Sequence, residues 1–134
     1  MDWKHLLLAA FAAGLVSSLT DWFFFGVLFH GKYYAYPEVW RSASGKSETK
    51  TIMIVTLLGF VTSFGFILAC DVFAVLGYEA TLQLAALIWL LAPLPLIVAN
   101  ALYIKMHPLL VVSHSLGWLA KLVLAAVAAA WFGS

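Results

Sequence analysis

The sequence predicts an all-α membrane protein, a four-transmembrane-helix bundle with both termini on the outer side. Three observations carry this. Four apolar runs each reach about the 20 residues needed to cross a hydrocarbon core. The chain is 65% hydrophobic and 10% charged, with a mean hydropathy of +1.04, so a 134-residue soluble fold has no interior large enough to hide its apolar surface. Its basic residues crowd into alternate connections between the runs.

The first run covers residues 6–29, behind a short head in which Asp2 is placed to cap a helix and Trp3 suits an interface. Lys4 ahead of an apolar stretch is also how a signal peptide begins, but the run is too long for a signal core. Residues 30–51 form the one substantial polar segment. It holds Lys32, Arg41, Lys46 and Lys50 among Tyr33, Tyr34, Tyr36 and Trp40, the mixture a headgroup interface favours. With Trp22, these four aromatics are the expected interface residues. Pro37 is placed to start a short surface helix over 37–42, and 42–50 reads as a flexible turn around Gly45. The second run covers 52–76, followed by a tight connection at 77–81. The third covers 82–104, where Pro93 and Pro95 predict a kink near its middle. After a turn at 105–108, the fourth run covers 109–132.

Sidedness follows from charge. Lys32, Arg41, Lys46, Lys50 and Lys105 fall in the first and third connections, against Lys4 alone on the other side. The loop at 30–51 is therefore expected in the cytoplasm and both termini outside, as in a multi-pass protein of a bacterial inner membrane. The bias also argues against a dual-topology dimer. A net charge of +1, with no basic run longer than two residues, gives no footprint for nucleic acid. The single cysteine, Cys70, excludes an intrachain disulfide, a CxxC redox pair and a thiolate metal cluster, and reads as a small packing residue.

Polar residues inside the apolar runs are the candidates for function, because a charge there is costly and needs partners. On the first run Ala10, Gly14, Ser18 and Asp21 share a helical face. On the second, Gly59, Thr62 and Ser63 do, and on the fourth His114, Gly117, Lys121, Ala125 and Ala128. On the third, Ala86, Trp89, Pro93 and Asn100 form the corresponding stripe. At about 1.5 Å rise per residue, Asp21 lies about 12 Å from the inner end of its run and His114 about 9 Å from the start of its own. Lys121 sits near 20 Å, but helical side chains lean toward the N-terminus, which brings its amine down toward Asp21. Asp21, Asn100, His114 and Lys121 are therefore expected to meet in one polar cluster in the inner half of the bundle. Asp71, beside Glu79 at the outer edge, is expected to reach water.

Each candidate also has a plainer reading. An acid–base pair between helices fixes register, a packing histidine needs only a hydrogen bond, and an intramembrane asparagine is commonly helix glue. The Trp22-Phe23-Phe24-Phe25 wall reads as lipid-facing or interfacial packing. Haem ligation by two of the histidines His5, His30, His107 and His114 requires a pair facing each other at one depth, and no spacing shows one. No metal or cofactor is therefore expected. There is no nucleophile elbow, P-loop, HExxH or dinucleotide fingerprint, so nothing speaks for an enzyme.

The head Met1-Asp2-Trp3, the stretch Trp22-Phe-Phe-Phe-Gly-Val-Leu-Phe-His-Gly-Lys32 and the histidine early in the last run resemble the four-span membrane-protein family catalogued as domain of unknown function 1761. Members tend to have proline where this chain has Val27, and lack the inserted His30. The resemblance implies the four-span architecture and brings no assigned activity. The expected function is a membrane protein that binds or transports a small solute, proton or lipid through the inner polar cluster. The alternative is a non-catalytic accessory or scaffold subunit of a larger membrane complex. Gly/Ala/Ser faces suit self-association, so a homo-oligomer, a dimer first, is expected beside the bilayer itself.

Overall fold

The Asp2 carboxylate accepts the His5 N–H at 2.9 Å and meets His5 Nδ1 at 2.9 Å, and this cap starts the first helix, α1, Trp3–Asp21. The computed structural model describes residues 1–39 and 45–133. After α1 the chain continues as a π-helical segment, Trp22–Leu28, closed by the Phe29 N–H donating to the Phe24 carbonyl five residues back at 3.0 Å. Two 3₁₀ turns follow, His30–Ala35 and Pro37–Val39. The remaining helices are α2 (Gly45–Val72), α3 (Gly77–Leu91), α4 (Pro93–Tyr103) and α5 (Pro108–Gly133). No strand occurs among the described residues.

Four helices are long and apolar enough to cross a membrane: Trp3–Leu28, Thr49–Val72, Gly77–Tyr103 and Pro108–Gly133. Their edges correct three expectations. Residues 45–50 are helical rather than a turn and open α2. The surface helix expected at 37–42 shortens to the turn Pro37–Val39, and its remainder lies outside the described residues. The connection at 77–81 is the first turn of α3, with Glu79 at its N-terminal end and the Thr81 hydroxyl donating to the Gly77 carbonyl at 2.9 Å.

α2 ends in a Schellman turn. The Val75 N–H donates to the Cys70 carbonyl at 2.8 Å and the Ala74 N–H to Asp71 at 3.2 Å, with Ala74 left-handed at φ 53°. The expected break in the third span falls at Ala92 (φ −127°, ψ −72°), between α3 and α4. Pro93 and Pro95 carry no N–H, so the Trp89 and Leu91 carbonyls lose the donors an unbroken helix supplies.

α5 packs against α1, α2, α3 and α4. Its Gly117, Ala125, Ala126, Ala129 and Ala130 are buried, and such small residues let neighbours approach on several sides. α1 turns Leu6, Ala9, Ala10, Ala13 and Gly14 inward. A methyl group on Gly14 would overlap the Phe60 ring of α2, so the α1–α2 spacing depends on glycine there. At the end where α1 starts and α2 finishes, the Met1 amino group lies 2.5 Å from Asp71. Asp71 thus carries an ion pair, where solvation alone was expected. At the opposite end Lys105 lies 3.8 Å from Glu38, so the first and third connections share one side.

Candidate functional site

The site is built where α1 stops being an ordinary helix. Asp21 is the last α-helical residue, and the π turn after it is wider than an α turn. Asp21 and Phe25 both lie over Gly117 of α5: a methyl there would stand 3.1 Å from Phe25 and 3.9 Å from the Asp21 carboxylate. Glycine at 117 is what lets the π segment settle onto α5.

Lys121, one turn further along α5, places its Nζ 2.8 Å from Asp21 Oδ2. Both side chains are withdrawn, at 10% and 16% exposure, so this is an interior ion pair. The ammonium also stands 5.3 Å from the Trp118 ring centroid, a cation–π distance. Gly59 of α2 faces it closely enough that an added methyl would meet Nζ at 3.7 Å.

A second polar pair lies beside the first. The 3₁₀ turn His30–Ala35 folds back so that the Tyr33 hydroxyl and His114 Nε2 are 3.1 Å apart. The His114 ring is held between Phe25, at 4.7 Å between centroids, and Tyr33, at 6.0 Å and nearly perpendicular. Burial, and then the Asp21 charge, push the Tyr33 hydroxyl up to about 12, so it keeps its proton at physiological pH. His30 is nearby on the same turn, 3.4 Å from the Tyr34 hydroxyl.

Both pairs line one cavity of about 780 Å³, bounded by the end of the first span, the first half of α2 and the start of α5. That volume is in the range of small-molecule sites, about 300–1,000 Å³. Asp21, His114 and Lys121 come together as expected. Asn100 does not: it is exposed on α4, where Pro93 is the buried residue and the later part of the helix lies outside the packed interior. The predicted stripe on the third span is also split: α3 turns Thr81 and Ala85 inward and leaves Ala86 exposed, while Pro93 of α4 is buried.

The expected interface aromatics also divide. Trp22 and Tyr34 are exposed and Tyr36 less so, whereas Tyr33 is turned inward onto His114. Trp40 lies outside the described residues. Phe25 leaves the expected lipid-facing wall for the same histidine, while Trp22 and Phe23 are exposed. One contributor had no signal in the residue pattern: Trp118, whose ring stands over Lys121. Trp89 keeps its expected inward place, its indole N–H tying α3 to the Ser115 carbonyl at 2.9 Å. No group of three or more His, Cys, Asp or Glu side chains able to hold a metal ion occurs among the described residues. No family model matches the chain, and neither the curated proteins nor the solved structures searched include a match to it.

Proposed function

We propose that the protein is a non-enzymatic, multi-pass integral membrane protein of a cell membrane that binds, and in doing so moves or presents, a small molecule in the Asp21–Lys121 cavity. One observation carries the reading. A single cavity of about 780 Å³ is lined by an interior ion pair and by a tyrosine–histidine pair. Ionisable groups inside a membrane are a functional hypothesis by default, and groups that face a cavity rather than a helix contact strengthen it. The shared end of the first and third connections, with Lys32, Lys50 and Lys105, supports a cytoplasmic mouth. The likeness of the Trp22–Lys32 stretch to the four-span family supports the architecture and adds no activity.

A second reading has its own support. The 2.8 Å contact satisfies Asp21 and Lys121 within the chain, as assembly chemistry of an accessory subunit requires. A dimer stays part of the proposal, but with less support than its small-residue faces promised, since Gly14, Gly59 and Gly117 face neighbours inside one chain.

Native mass spectrometry of protein released gently from its own membrane tests the choice. The binding reading expects a reproducible added mass on the wild type. The doubly neutral variant Asp21→Asn/Lys121→Met should lose that mass yet keep its fold. A bare wild-type mass, or release only within a larger complex, refutes the binding role and favours the accessory one.

A further inference from the structure

A second cavity, of about 400 Å³, runs between α2 and the α3–α4 helix with α5 as its floor. Val61, Phe66, Leu96 and Leu122 are among its walls, and the break at Ala92 and Pro93 opens one side of it. The one hydroxyl along it, on Thr62, already donates to the Leu58 carbonyl at 3.0 Å. Apart from the Trp118 indole, the side chains along the groove therefore offer a ligand apolar contact. Thr62 and Trp118 line both cavities, so the apolar groove adjoins the polar cavity at these two side chains.

We propose that the occupant is an uncharged single-chain amphiphile, with a hydroxyl-bearing head beside Asp21 and Lys121 and its aliphatic tail in the groove past Trp118. This rests on the binding role above and names its ligand class. Three features fix the chemistry. The head is neutral because Asp21 and Lys121 already cancel, and a further charge in so withdrawn a place would be unpaired. It carries hydroxyls because the ammonium has two N–H groups left to donate and the carboxylate a second oxygen to accept. It has one tail because Val61 to Ala69 covers about 12 Å of α2, a length over which the groove volume leaves room for a single chain.

The probe is a monoacylglycerol with a diazirine on its tail, irradiated with the full chain in lipid nanodiscs and mapped by peptide mass spectrometry. Labelling is expected at 61–69 and 92–97. Gly65→Leu should reduce it at least tenfold, since a side chain at Gly65 meets nothing within 4 Å of its Cβ and so fills the groove without disturbing the fold. Ala86→Leu, on an exposed face, should leave it unchanged. The same tail on a phosphate head should label only at the background level of lipid-facing residues such as Leu57. Even labelling of the lipid-facing surfaces, indifferent to Gly65→Leu, overturns the amphiphile. Should the added native mass still vanish in the doubly neutral variant, the cavity binds something else and only this inference falls. With no added native mass on the wild type, the binding role falls with it.

Discussion

Neutralising Asp21 alone should harm the protein more than neutralising Asp21 and Lys121 together. At 2.8 Å, two unit charges attract by about 6 kcal/mol with an effective dielectric constant near 20. Withdrawing each charge from water takes back several kcal/mol, so the intact pair gains little over two neutral side chains of similar size. Breaking it is different. In Asp21→Asn the ammonium stays at 10% side-chain exposure with a neutral amide and the Trp118 face for company. Stranding one member of a buried pair costs about 3–5 kcal/mol. Asp21→Asn is therefore expected to lose that much, Lys121→Met a similar amount, and the double variant no more than about 2 kcal/mol.

Reversible unfolding in mixed micelles of rising denaturing-detergent fraction gives all four corners of the cycle. The decisive quantity is the coupling energy, which those figures put at about 4 kcal/mol or more. Hydrogen-bonded pairs between membrane helices average only about 0.6 kcal/mol and reach about 1.7. A coupling in that lower range would mean that Lys121 finds water or another acceptor, and the interior-pair reasoning would be wrong.

Other perturbations test the frame around the pair. Ala74→Gly should stabilise the chain by about 1 kcal/mol, because a left-handed alanine ends α2 where glycine carries no steric penalty; an unchanged or lowered melting temperature would refute the Schellman assignment. Gly14→Ala should destabilise by about 1–3 kcal/mol through the Phe60 ring, and Phe60→Ala in the same chain should recover part of that; absence of rescue would place the strain elsewhere. The Tyr33 phenol should ionise near pH 12, read as the ultraviolet difference between wild type and Tyr33→Phe. Its pKa is raised in the fold, so its neutral contribution is complete below about pH 10 and is lost as pH climbs from 10 toward 12. A midpoint at 10 would mean that Tyr33 faces solvent.

What the sequence carried and what it concealed divide along a physical line. Asp21 and Lys121 were legible because helix rise and the N-terminal lean of side chains set depth, and depth alone brings an acid on one span to a base on another. The proline break was legible because missing N–H groups are written in the residues. Asn100 was misplaced for a different reason: it keeps the face of the buried Pro93 two turns earlier, but the later part of α4 lies outside the packed interior, and a helical face says nothing of how far along a helix its neighbours reach. Composition marks Tyr33 as an interface residue and Phe25 as a lipid-facing one, because it says aromatic and amphipathic, not which way a turn points them. The deciding feature was the π segment, and Trp22-Phe-Phe-Phe-Gly-Val-Leu28 contains nothing that distinguishes a widened turn from an α-helix. Such a turn is stabilised by what it packs on, here Gly117 and His114 of a helix some ninety residues away.

That packing explains why the widened turn and the cavity belong together. An α-helix carried straight through Phe29 would shift Phe25 and every aromatic after it to other azimuths, and the return of Tyr33 toward α5 would start from the wrong place. With the wider turn, Asp21 stays over Gly117, Phe25 covers one face of His114, and the chain leaves the span in a 3₁₀ turn that brings Tyr33 to the ring's far nitrogen. π turns lie higher in energy than α turns and recur at functional sites. Here one stands between the ion pair and the tyrosine–histidine pair, and both pairs face the same space. An ion pair that served only to fix helix register would be satisfied by Asp21 and Lys121 alone. The widened turn, the glycine beneath it and the inward tyrosine are unnecessary for that purpose, and together they make the cavity.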